Sequence, residues 1–224
     1  MHPPIITIDG PSGSGKGTLS LLIAEKLGWH LLDSGAIYRL CALHCQQLQV
    51  DIEDQQAIVS TLSSFIVEFK KANHQVVALL NNEEVTALLR TEEVGLAASQ
   101  LARFPLVRAA LLDQQKAFAQ LPGLVADGRD MGTTVFPAAN IKFYLTASAE
   151  KRAERRFKQL QNKGDSANLA AILSDIQLRD ARDQSRASSP LVPATDAIII
   201  DSSEMDIEAV YNHMMSLIKT TLTE

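Results

Sequence analysis

Apolar residues along the chain gather into short runs, separated by longer stretches in which they recur every three or four positions. That pattern predicts strands alternating with helices. Ile5-Ile6-Thr7-Ile8 leads into Asp9 as a buried strand, and a glycine-rich turn follows. A helix from about Gly17 to Leu27 comes next, with Leu19, Leu22, Ile23 and Leu27 at its apolar positions and Gly28 as its C-terminal stop. His30-Leu31-Leu32 reads as a short strand, and Asp33-Ser34-Gly35 turns into a helix that runs through about Gln47. Leu124-Val125-Ala126, Ile141 to Leu145 and Ala197 to Ile200 are further apolar runs, each bounded by Asp, Gly, Pro or Asn. Strands apolar on both faces with helices between them predict an α/β fold, a central parallel sheet flanked by helices.

The middle of the chain breaks this rhythm. Phe65 to Phe69, Gln75 to Leu80 and Glu83 to Thr86 read as two or three antiparallel strands, joined by turns at Lys71 to His74 and at Asn81-Asn82. An antiparallel patch inside a parallel pattern predicts an inserted antiparallel-β/helical subdomain at about 60–105. The core then comprises about 1–59, 106–149 and 187–224, and a short lid with its adjoining helix occupies about 150–186, all within one domain of 224 residues.

Composition narrows the partners. At 46% hydrophobic and 21% charged residues the chain has the material for a packed core. No apolar run approaches the roughly 18 residues of a membrane span, and Met1-His2-Pro3-Pro4 lacks the basic start of a leader, so a cytoplasmic location is expected. A net charge of -5 disfavours broad binding to nucleic acid or anionic lipid. Any anion must be held by local cations. Cys41 and Cys45 flank His44 on a predicted helix, but no further Cys or His cluster follows to close a metal site, so they read as small buried thiols.

Candidate chemistry starts at Gly10-Pro11-Ser12-Gly13-Ser14-Gly15-Lys16-Gly17-Thr18, between the first strand and the first helix. A loop nearly free of side chains lets backbone N–H groups converge on a polyphosphate, Lys16 adds a charge, and the helix N-terminus adds its dipole. The residue after Lys16 is Gly17, so the hydroxyl that often meets Mg²⁺ arrives one position later, at Thr18. This GKGT ending resembles the loop of nucleoside-monophosphate kinases, which implies Mg²⁺ held mainly by phosphates and water, with Thr18 the possible protein contact. Asn162-Lys163-Gly164-Asp165 matches a guanine-recognition motif, but it follows an arginine-rich helical pattern where that motif would follow a strand, and it reads as a helix stop and turn.

A second charged group, Asp127-Gly128-Arg129-Asp130, closes the strand Leu124-Val125-Ala126. There its side chains reach the carboxyl edge of the sheet, where α/β ligand sites form. Seven of the eleven arginines lie between Arg129 and Arg186. Ile172, Ile176, Arg179, Asp183 and Arg186 share one helical stripe, which predicts a core-facing face emerging into a polar cleft.

DSGAIYR (Asp33 to Arg39), AASQ (Ala97 to Gln100), ADGRDMGT (Ala126 to Thr133), RDARDQSR (Arg179 to Arg186) and PLVP (Pro190 to Pro193), with the GPSGSGKGT loop, resemble bacterial cytidylate kinases over nearly the whole chain. The resemblance implies transfer of the γ-phosphoryl group of Mg·ATP to CMP or dCMP. By position it implies phosphate contacts from Arg39, Arg129 and Arg186, and base contacts from Ser99, Arg108 and Asp130. Arg179 and Asp183 would meet the ribose, and Ser34 would line the acceptor pocket. Arg152, Arg155 and Arg156 would belong to a lid over the ATP phosphates, with Lys16, Asp127, Arg129, Arg152 and Arg155 as the catalytic set. A monomer acting on small molecules is expected. The rival readings are another small P-loop kinase, for UMP, AMP or shikimate, and a GTP-binding switch.

Overall fold

The computed structural model describes residues 2–72, 75–162, 164 and 166–222. It divides into two compact units, Met1–Leu32 with Lys116–Glu224, and Asp33–Gln115, the second enclosing the stretch read as an insertion.

The first unit is built on a five-stranded sheet. Its strands are β1 (Ile5–Asp9), β2 (His30–Asp33), β6 (Leu124–Gly128), β7 (Ile141–Thr146) and β8 (Ile198–Asp201), in the order β2-β6-β1-β7-β8. Strand β1 lies parallel to both neighbours, with Asp9 opposite Gly128 on one side and Tyr144 on the other. Helices α1 (Lys16–Leu27) and α8 (Ile207–Leu222) cover the sheet. Ile6, Ile8, Val125, Phe143 and Leu145 pack with Leu19, Ile23, Met214 and Ile218 in one buried cluster. The central parallel sheet expected from the apolar runs is therefore present, and the ends of β1, β6 and β7 are anchored by its best-buried part. Helices α6 (Ala149–Asn162) and α7 (Leu169–Gln184) follow β7, and Asn168 caps α7 by accepting from the N–H groups of Ala170 and Ala171.

In the second unit α2 (Ser34–Gln47) starts where the Asp33 carboxylate accepts from the Ala36 N–H. Helix α3 (Gln55–Thr61) precedes a sheet of β3 (Val67–Ala72), β4 (Gln75–Leu80) and β5 (Glu83–Glu84), in that order. Helices α4 (Glu92–Leu101) and α5 (Pro105–Lys116) complete it. The antiparallel pairing matches expectation, but β3 starts and ends later than the apolar pattern suggests. Phe65 is held at the end of a 3-10 turn by its N–H to Leu62 O, and Ala72 instead pairs with Gln75. Of the turn expected at Lys71 to His74, Asn73 and His74 lie outside the described residues.

Two further expectations meet the structure. Cys41 and Cys45 are buried free thiols on α2. Asn162 ends α6 and Gly164, at φ 81°, donates to Gln161 O in a turn, while Lys163 and Asp165 lie outside the described residues.

Candidate functional site

The phosphate-loop sequence leaves β1 at Gly10, where φ is 146° and an added Cβ would stand 2.0 Å from the Leu145 carbonyl oxygen. Only glycine allows the chain to turn away this close to β7. The loop is braced from within: the Ser14 hydroxyl donates to Pro11 O at 3.1 Å, and Lys16 Nζ donates to the same oxygen at 2.8 Å. Lys16 is 5% exposed and its ammonium lies 4.0 Å from Asp127 Oδ1, at the carboxyl end of β6. Asp127 also stands over the first turn of α1, with Oδ2 3.4 Å from the place a Cβ on Gly17 would take. Thr18 is exposed one residue along. The N–H groups at the start of α1 and the Lys16 charge thus share one end of the sheet, an arrangement suited to phosphate oxygens.

Beside it, Asp183 binds two arginines. Arg129 Nε donates to its Oδ2 at 3.0 Å and Arg186 Nη2 donates to its Oδ1. Asp183 is 1% exposed; burial pushes its carboxyl upward, but Arg129, Arg186 and Arg179 outweigh this and hold it below the usual carboxylate range. This corrects the expected stripe. Ile172 and Ile176 are only half-buried while Asp183 is the buried member, and Arg186 lies past the end of α7. The pairing, absent from any periodicity, draws Asp183 inward. Asp130 is buried at the head of a single π-helical turn, Met131–Val135, and its carbonyl accepts from Thr134 and Val135.

The arginines of α6 are tied down. Arg152, 3% exposed, donates through Nε to Ala147 O at 2.9 Å and through Nη1 to Ser12 O in the loop at 3.0 Å, and grips both oxygens of Asp180. Arg155 donates to the Ser202 hydroxyl at 3.2 Å and to the carbonyls of Ser14, Ser202 and Met205. Arg156 is half-buried on the same helix. Arg152 and Arg155 therefore brace the loop through its own carbonyls, an arrangement that the reading of both as lid arginines did not foresee.

The remaining sequence-predicted residues belong to the second unit. The Ser34 hydroxyl donates to Gln115 Oε1 at 2.7 Å. Arg39 donates to Leu89 O at 2.6 Å and lies against Gly95, whose missing side chain leaves room for the guanidinium. Arg108 donates to Ala102 O and stands 5.6 Å from the Tyr38 ring centre. The Ser99 hydroxyl is buried without a hydrogen-bond partner among the described residues.

Sequence reasoning missed Asp180, Gln115 and Asp9. Asp180 sits one residue from the charged stripe it does not share. Gln115 and Asp9 carry no motif of their own, and only their burial marks them.

The profile of the family described as Cytidylate kinase matches residues 6–220. A cytidylate kinase of Aeromonas hydrophila subsp. hydrophila is 55% identical over 207 residues, 92% of this chain and 90% of that protein. One of Photobacterium profundum is 52% identical over 223 residues, 100% and 98% of the two chains. Among solved structures, the crystal structure of TT1252 from Thermus thermophilus shares the fold, with a TM-score of 0.50 at 15% identity and full coverage of both chains.

Proposed function

The chain belongs to the cytidylate kinase family, and on that premise we propose that it transfers the γ-phosphoryl group of ATP to CMP or dCMP, giving ADP with CDP or dCDP. The observation that carries this reading is the adjacency of two anion-binding devices: the loop with Lys16 facing Asp127, and the Arg129–Asp183–Arg186 group. The acceptor phosphate oxygen is already anionic at neutral pH, so the chain needs no strong general base. Its task is to align two polyanions and offset their repulsion.

In the donor half, the N–H groups of Gly13 to Thr18 and the Lys16 ammonium receive the β- and γ-phosphates. Lys16 exchanges its hold on Pro11 O for a phosphate oxygen, and Asp127 keeps the ammonium aimed. Arg152 and Arg155 hold the loop in shape. Arg129 and Arg186 receive the acceptor phosphate, and Arg179 and Asp183 the sugar. Asp130 accepts from the cytosine amine. In the second unit, acceptor contacts are proposed for Ser34, Arg39, Ser99 and Arg108, a reading the buried, unmatched Ser99 hydroxyl supports.

No group of three His, Cys, Asp or Glu side chains suited to a metal occurs among the described residues, and Thr18 is exposed at the first turn of α1. That donor set fits Mg²⁺ brought in on the phosphates, with Thr18 as the residue to touch it. When bound, the ion neutralises phosphate charge. Product formation from CMP, dCMP, UMP and AMP, measured side by side with ATP and Mg²⁺, tests the proposal. CMP and dCMP are expected to be the best acceptors, and a preference for UMP or AMP overturns it.

A further inference from the structure

Asp9 is the last residue of β1 and almost fully buried, and although the Lys16 charge faces it, its carboxylate is engaged by the backbone that follows β6. Its Oδ1 accepts from the Met131 N–H and its Oδ2 from the Gly132 N–H, both at 2.8 Å. These two amides open the π-helical turn immediately after Arg129 and Asp130. Space is tight here: a Cβ on Gly132 would lie 3.0 Å from the Thr7 hydroxyl and 3.4 Å from Asp9 Oδ2. The carboxylate is thus the fitted counterpart of two backbone donors, a form of clamp that charge-assisted hydrogen bonds make rigid.

We propose that Asp9 is a positioning residue for the acceptor nucleotide, fixing the Arg129–Asp130 segment against the central strand so that both side chains meet CMP in register. The inference rests on the functional reading above. It separates the two halves of the site, because the phosphate loop has its own braces at Pro11, Ser12 and Ser14, none of which involves the Asp9 side chain. Loss of the clamp therefore acts on the acceptor half. The charged and titratable groups facing Asp9 are Lys16 from α1, Asp130 from the turn and Tyr144 from β7, with the Lys142 stem beside Gly132. Burial, partly offset by the two N–H donors, pushes its carboxyl up to about 6.

Asp9→Asn keeps the shape but turns an NH₂ toward one of the two N–H groups, so one hydrogen bond becomes a repulsion. Steady-state kinetics with CMP and ATP varied separately should show kcat/KM for CMP falling roughly 10- to 100-fold through a raised KM for CMP, with the KM for ATP nearly unchanged. Asp9→Glu, which keeps the charge, should recover part of the loss. A variant whose CMP kinetics match the unaltered enzyme, or whose KM for ATP rises as much as that for CMP, overturns the inference. Should Asp9→Asn not fold, Asp9→Glu decides by the same separated kinetics: a raised KM for CMP with the KM for ATP nearly unchanged supports the inference, and unaltered CMP kinetics overturn it. If the unaltered enzyme does not phosphorylate CMP, the functional reading falls and this inference with it. If it does and Asp9→Asn behaves normally, only the inference falls.

Discussion

Arg152 and Asp180 form a two-pronged ion pair in which both guanidinium nitrogens Nη1 and Nη2 meet both carboxylate oxygens, and the same guanidinium reaches Ser12 O in the phosphate loop. The pair joins the first turns of α6 to α7 across the mouth of the loop. Because Arg152 is almost wholly buried, the carboxylate is what makes its charge tolerable there. Asp180→Ala should lower stability by about 3–5 kcal/mol, the cost of a buried charge left without its partner. Urea denaturation measures it. Arg152→Met combined with Asp180→Ala should recover much of the loss, and a double variant as unstable as the single would show that the pair is not the reason.

Lys16 should matter more to the transition state than to binding. Lys16→Ala is expected to reduce kcat roughly 10³- to 10⁵-fold, the size of the effect when a cation is removed from phosphoryl transfer elsewhere. Single-turnover measurement at saturating ATP checks it, and near-normal kcat would remove Lys16 from the chemistry.

Two buried carboxylates should give stability opposite slopes with pH. Asp9 has its carboxyl raised from 3.8 to about 6. Its protonated form is the one folding favours, so its contribution is full below about 3.8 and is lost as pH rises through about 6, a swing of roughly 3 kcal/mol. Asp183 is held below the ordinary range, so its contribution is present above that range and is lost as pH falls through its depressed value. Unfolding free energies of Asp9→Asn and Asp183→Asn between about pH 2 and pH 7.5, each compared with the unaltered protein, separate the two. Parallel curves would contradict the assignment.

Asp130 should set the choice of base. Cytosine offers an exocyclic amine that donates where uracil offers O4, so a carboxylate at Asp130 rewards cytosine and opposes uracil. Asp130→Asn can turn an amide donor toward O4, and should narrow the CMP-to-UMP ratio of kcat/KM by about 1–3 kcal/mol. The comparison requires both acceptors at saturating ATP. An unchanged ratio would move discrimination elsewhere.

How far the sequence could be read depended on whether a residue's task is local. The loop from Gly10 to Thr18 and the strands beside it follow from adjacent residues, since φ at Gly10 and the apolar runs are short-range matters. The charges at the end of β6 were legible for the same reason. What periodicity could not supply is pairing at long range. Arg152 and Asp180 are far apart in the chain, as are Asp9 and Gly132, and nothing in either segment names the other. Asp183 shows the limit most clearly. Its place on a helical stripe pointed to a ligand, but no spacing on α7 announces that Arg129, which follows the end of β6, is its partner.

Asp180 and Asp183 stand three positions apart on α7, one gripping the arginine tied to the donor loop and the other gripping two arginines assigned to the acceptor phosphate. A slide or rotation of that single rod carries both grips with it, so neither can be retuned alone. Whatever seating of α7 one nucleotide favours is imposed on the arginines of the other, and the coupling must be equal in both directions. On the proposed assignment, a compound lodged against Asp180 would therefore be felt as a changed affinity for the acceptor nucleotide, whose own contacts it leaves open.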